Sequence, residues 1–182
     1  MRFQTISSPE HAPGAEFSGL HQYLSQAFPK CHATLARETV ADYSLLYRWQ
    51  GSAAGLKPQL LLAHLGVIPV GPVAEKSWQV PPFAGQIADG YVWGRCALDD
   101  KASVLAILEA IEHLLNENFQ PRRTIYLAFG HDEEVGGLKG AAQTAALLQA
   151  RHRAGTGAGR RRRDGGRPRT QSLRTSGNYW HR

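Results

Sequence analysis

The sequence predicts an α/β layered fold with a largely parallel sheet, and two observations carry the prediction. The first is a pair of short apolar runs, Leu60-Leu61-Leu62-Ala63 and Thr124–Phe129, of the kind found in strands buried on both faces. The second is a helical stripe between these runs and another after them. Strand, helix, strand, helix in this order is the pattern of layered α/β domains.

The elements follow in order. Phe17, Leu20, Tyr23, Leu24 and Phe28 recur at helical spacing, and Pro29 closes that pattern. Tyr43–Trp49 reads as a strand bounded by Gly51 and Ser52. Pro58 precedes the Leu60–Ala63 run, which ends at His64. Residues 66–90 hold Pro69, Pro72, Pro81, Pro82 and several glycines, and read mostly as loop. Asp89-Gly90 is a turn signal, and Tyr91–Trp93 after it reads as a short strand. Val104, Ile107, Leu108, Ile111, Leu114 and Leu115 form a stripe that places a helix over Asp99–Asn118. Its opening acids suit the positive end of the helix dipole. The Thr124–Phe129 strand ends at Gly130, and residues 138–151 form an Ala/Leu-rich helix.

Charge is divided unevenly along the 182 residues. The whole chain has 21 basic and 15 acidic side chains, a formal charge of +6. Residues 1–150 carry 11 basic and 14 acidic side chains, whereas residues 151–182 carry ten arginines and one acid. The body is therefore mildly acidic, and the basic excess is not a reason to assign it nucleic acid or an anionic membrane as partner. Two cysteines, Cys31 and Cys96, are too few for a disulfide framework and read as unpaired thiols. No apolar run approaches the roughly 18–20 residues of a membrane span, and Met1–Glu10 lacks the apolar core of a secretory signal. A soluble, cytoplasmic protein is expected.

Four candidate functional residues stand at structural junctions. His64 ends one apolar run, Glu133 and Glu134 follow the other, and Asp99 opens the helix between them. Ligand sites in open α/β sheets lie beyond the carboxyl ends of the strands. One imidazole with carboxylates and no thiolate suits a hydrolytic zinc site. Adjacent glutamates allow one to bind metal while the other takes a proton from water. Each residue also has a purely structural reading: a satisfied histidine, a helix cap, a solvated acidic loop. The glycines from Gly130 to Gly140 do not make a phosphate loop, because the G-x-x-x-x-G-K-[ST] order is absent and Asp132, Glu133 and Glu134 would repel phosphate.

Four ordered segments resemble the M20 family of zinc metallopeptidases, and most closely its carboxypeptidase S branch with the N-acyl amino acid hydrolases. They are Leu60–Val70, Trp78–Gly85, Trp93–Lys101 and Gly130–Gly137, and the resemblance covers about residues 1–151. It implies part of a three-layer, zinc-exopeptidase-like catalytic domain holding two zinc ions. It makes His64 a metal ligand, Asp99 the carboxylate bridging two ions, Glu134 a ligand and Glu133 the general base. It also implies a metal-dependent hydrolase that cleaves amide bonds of small peptides or N-acyl amino acids.

Three departures from the family pattern stand out. The family's His-x-Asp is His64-Leu65-Gly66 here, which removes an acid that supports the histidine. Its Gly-Arg-Gly is Gly94-Arg95-Cys96. The family's next metal Asp, its oligomerisation domain and its late metal His all lie beyond Glu134 in the family, and no counterpart is recognised here.

Residues 152–182 are Arg- and Gly-rich and predict a disordered tail. One choice of codons for Ala154–Arg161, shifted by one base, encodes Leu-Glu-Leu-Val-Leu-Asp-Glu-Gly, similar to the family's metal-Asp segment. The tail is therefore read as a frameshift, with a genuine basic tail as the alternative. Two other functions compete with the hydrolase. One is an inactive product of a decayed gene, with no measurable hydrolysis by this chain. The other is a nucleic-acid-binding protein acting through Arg160–Arg163. No membrane or nucleic-acid partner is expected.

Overall fold

The computed structural model describes residues 1–8 and 14–157. Helix α1 (Ala15–Ala27) is followed by α2 (Pro29–Thr34), β1 (Ala36–Val40), β2 (Ser44–Trp49) and β3 (Gln59–His64). Then come α3 (Pro72–Glu75), β4 (Gln86–Ala88), β5 (Tyr91–Trp93), α4 (Lys101–Asn116), β6 (Ile125–Gly130) and α5 (Ala141–Gly157). Pro29 does more than close α1. It occupies the first turn of α2, where a missing N–H costs nothing. The Asp89-Gly90 turn joins β4 to β5 with both residues at positive φ (53° and 79°), as a two-residue hairpin turn requires.

The main sheet has the order β1-β2-β6-β3. The α/β layering is as expected, but the sheet is mixed rather than mostly parallel. Only β3 and β6 run parallel, while β1/β2 and β2/β6 are antiparallel. The parallel pair is separated in sequence by α4, which supplies the crossover that parallel pairing needs. The antiparallel β1/β2 pair turns tightly at Ala41–Tyr43.

Side chains alternate across the sheet and build three layers. Leu45, Tyr47 and Trp49 of β2 and Leu127 and Phe129 of β6 face α1, α2 and α4. Phe17, Leu20, Leu24, Val104, Leu108 and Ile111 of α1 and α4 pack against them. On the other face Leu46 and Ala128 meet Leu147 and Leu148 of α5. The helix expected over residues 138–151 is α5, which continues to Gly157. Residues 152–157, read from sequence as the start of the tail, are therefore helical. The remainder, 158–182 with Arg160–Arg163, lies outside the described residues.

Strand β3 is not buried on both faces as its composition suggested. Leu61 and Ala63 pack on the main core, but Leu60 and Leu62 on the opposite face are 44% and 68% exposed. The reason is position: among the described residues β3 is an edge strand, and α5 covers β2 and β6 instead. The other edge, β1, carries Arg37 and Glu38, charges that discourage edge-to-edge pairing. Because β3 presents apolar side chains beside an unpaired backbone edge, the 182-residue chain should aggregate on warming. Leu62→Lys is expected to raise the onset temperature of light scattering; an unchanged onset would show that this edge is not where association begins.

Candidate metal centre

The register of the parallel pair brings the candidate residues together. His64 is the Cα partner of Gly130, so β3 and β6 end side by side. Asp99 and Asp100 approach the same place from the start of α4, and their peptide bond is cis. His64 is buried at the strand end. Its backbone N–H donates to Asp100 Oδ2 at 3.2 Å. Asp100 makes no side-chain capping bond to α4.

The imidazole is held from two sides. Nδ1 lies 2.9 Å from the main-chain oxygen of Gly66, which can only accept, so Nδ1 carries the hydrogen. Nε2 faces Asp99 Oδ1 at 3.0 Å and Glu133 Oε2 at 3.6 Å. When the ring is neutral, Nε2 presents a lone pair to carboxylate oxygens, an arrangement that calls for a cation between them. His64, Asp99 and Glu134 each offer one ligand atom, all within 4.8 Å of one another. A nitrogen with two carboxylates at this separation fits a divalent ion of the zinc type. Glu133 stands beside the group. The surroundings are open: Asp99 is 80% and Glu133 61% exposed at the side chain.

The loop bearing the two glutamates is set by buried polar contacts. A 3-10 turn over Glu133–Val135 leads into Gly136 and Gly137, both at positive φ (97° and 68°). Asp132 is buried, and its carboxylate accepts the backbone N–H groups of Lys139 (2.7 Å) and Gly140 (2.9 Å). Those bonds tie the end of the loop back to its beginning. At Gly140 a Cβ would fall 2.5 Å from Asp132 Oδ1 and 2.8 Å from His131 Nδ1, so only glycine fits. His131 is buried behind the loop. Ser44 Oγ accepts its backbone N–H at 3.2 Å and is hydrogen-bonded to its Nδ1 at 2.8 Å. Burial holds the His131 pKa below its ordinary value.

Sequence reasoning missed several contributors. Asp100 and Asp132 adjoin the candidate residues and could have been noticed as polar neighbours. Ser44, Ser7 and Lys101 carry no such signal. Lys101 is buried at the start of α4, where Nζ donates to the Phe3 carbonyl at 2.8 Å. Burial lowers its pKa. Cys96, which stands at a family glycine position, has φ of 58°, a left-handed conformation natural to glycine. Burial pushes its thiol pKa up to about 11.

Residues 60–165 match the profile of peptidase family M20/M25/M40. The chain belongs to this family. It is 50% identical over 126 residues to a probable carboxypeptidase S-like protein of Dictyostelium discoideum, a match covering 69% of this chain and 24% of that protein. It is 49% identical over 154 residues to an N-fatty-acyl-amino acid synthase/hydrolase of Mus musculus, covering 83% of this chain and 30% of the relative. This M20 chain thus spans about a quarter to a third of the curated relatives it matches. Among solved structures it resembles human carnosine dipeptidase 1, with a TM-score of 0.61 and 18% identity over 85% of this chain and 34% of that one. That likeness shows the fold. Among the described residues, no helix is long and apolar enough to cross a membrane.

Proposed function

We propose that this M20 chain carries the general base and part of the metal cradle of a zinc-dependent hydrolase that cleaves amide bonds of small peptides or N-acyl amino acids. The observation that carries the reading is the convergence of His64, Asp99 and Glu134 within 4.8 Å, with Glu133 alongside. The names of the relatives, a carboxypeptidase S-like protein and an N-fatty-acyl-amino acid hydrolase, support the substrate class.

Zinc held by His64, Asp99 and Glu134 would supply Lewis acidity toward a carbonyl oxygen and would acidify water. Glu133, outside the ligand group but 3.6 Å from His64 Nε2, is placed to take a proton at Oε2 and return it to the leaving amine. Asp99, exposed and with a second oxygen, has capacity to bridge to another ion. Asp132 keeps Glu133 and Glu134 on a closed loop. Cys31 and Cys96, buried and unpaired, suit a reducing cytoplasm.

A second reading, that the 182-residue chain itself is inactive, rests on the exposure of Asp99 and Glu133. Their carboxylates stand open to solvent, where charge stabilisation is weak and water is not excluded. Among the described residues, the three donors of this group also fall short of two coordination spheres. The assay that tests both readings uses dipeptides and N-acyl amino acids with added zinc. The 182-residue chain is expected to give no measurable hydrolysis. Zinc-dependent turnover that Glu133→Ala abolishes would overturn the inactive reading and establish the hydrolase.

A further inference from the structure

We infer that the main-chain carbonyl of Gly66 orients His64 in this chain, and that the packing around position 66 reserves it for a residue without a side chain. Gly66 stands where the family pattern has an acid, so the sequence reads as having lost the group that orients the histidine. The geometry assigns that task to the backbone of the same residue. Gly66 O lies 2.9 Å from His64 Nδ1 in a buried contact. A backbone carbonyl is one of the ordinary partners that fix the tautomer of a ligating histidine. The bond places hydrogen on Nδ1 and leaves Nε2 directed at Asp99 and Glu133.

The surroundings explain why glycine is required. A Cβ at Gly66 would fall well inside contact distance of the His131 carbonyl oxygen, and 2.9 Å from both the His131 carbonyl carbon and Ser7 Oγ. Two of these are backbone atoms, which cannot rotate aside. Ser7 Oγ in turn donates to the His131 oxygen, and the Ser7 N–H donates to Val67 O at 2.9 Å. The N-terminal segment, the residues after β3 and the residues after β6 are thus tied together around Gly66. A side chain at 66 must push apart the end of β3, which carries His64, and the segment after β6, which leads into the Glu133 turn. Gly66→Asp would therefore not restore the support; it would displace the carbonyl that supplies it.

The metal-affinity part of this inference rests on the proposed zinc site, whereas the tautomer part does not. Nitrogen-15 NMR of the imidazole in the full 182-residue chain, without metal, is expected to show His64 with hydrogen on Nδ1. Gly66→Ala and Gly66→Asp are expected to lose that signature and to bind zinc about tenfold or more weakly than the parent. Failure of both variants to fold would support the steric requirement, and the parent's tautomer would then decide the orienting role. Hydrogen on Nε2 in the parent, or tighter zinc binding by Gly66→Asp, would overturn the inference. A parent with the Nδ1–H tautomer and no zinc binding would overturn the zinc reading alone.

Discussion

His64→Ala is expected to weaken zinc binding by about 100-fold or more, while Glu133→Gln leaves it within a few-fold of the parent. His64 contributes the sole nitrogen of the ligand group, and its ring is the buried member. Without it two carboxylates remain, and the Asp99 carboxylate is open to solvent, where its attraction for a cation is screened. Glu133 lies outside that group, so neutralising it removes a base without removing a donor. Calorimetric titration with zinc measures both variants, and elemental analysis after dialysis gives the parent's stoichiometry. The parent is expected to retain well under about two ions per chain, since two closed zinc spheres need more donors than the three this group offers among the described residues. Two tightly held ions, or equal losses in the two variants, would contradict this division of roles.

Asp132→Ala should cost about 3 kcal/mol or more of folding stability, since hydrogen bonds to charged groups contribute about 1.5–3 kcal/mol each. Both Asp132 oxygens are engaged, one by Lys139 N–H and one by Gly140 N–H, and the residue is buried. Truncation would leave two backbone donors without acceptors, one of them at the buried Gly140. Asp132→Asn keeps one acceptor oxygen and should lose roughly half as much. Urea unfolding followed by circular dichroism measures the losses. Zinc affinity should fall in Asp132→Ala even though Asp132 is not in the ligand group, because Glu134 rides on the loop that Asp132 closes. A variant with parent-like stability and affinity would show that the 3-10 turn and its glycines hold the loop unaided.

Much of the site was legible from residue order because its members mark element junctions. His64 had to lie where an apolar run stops, and Glu133 and Glu134 just past the next such stop. Parallel neighbours then bring those two ends together by register alone. Cys96 departs from the family's Gly-Arg-Gly pattern in sequence, and the structure adds that the backbone there adopts a positive φ of 58°, which glycine takes up freely and cysteine does not.

Other features depended on contacts between residues far apart in sequence. Strand β1, with its Ala-Arg-Glu-Thr-Val composition, carries no apolar alternation and becomes a strand by pairing with β2. The Leu60–Ala63 run is equally apolar whether central or at an edge, and only sheet order leaves Leu60 and Leu62 exposed. Asp100 looks like a helix cap in sequence, yet its carboxylate accepts from His64, 36 residues away.

The sequence by itself determined the layered α/β fold and marked four candidate residues, because periodicity and junction position are local properties of the chain, and its ordered motifs carried the family. Only the tertiary structure decided strand direction, which face of β3 is left uncovered, and the partner of His64 Nδ1. The physical reason is that a backbone carbonyl has no letter of its own in the sequence. Gly66 reads as a missing carboxylate until folding sets its oxygen 2.9 Å from the imidazole and crowds out any side chain that could replace it.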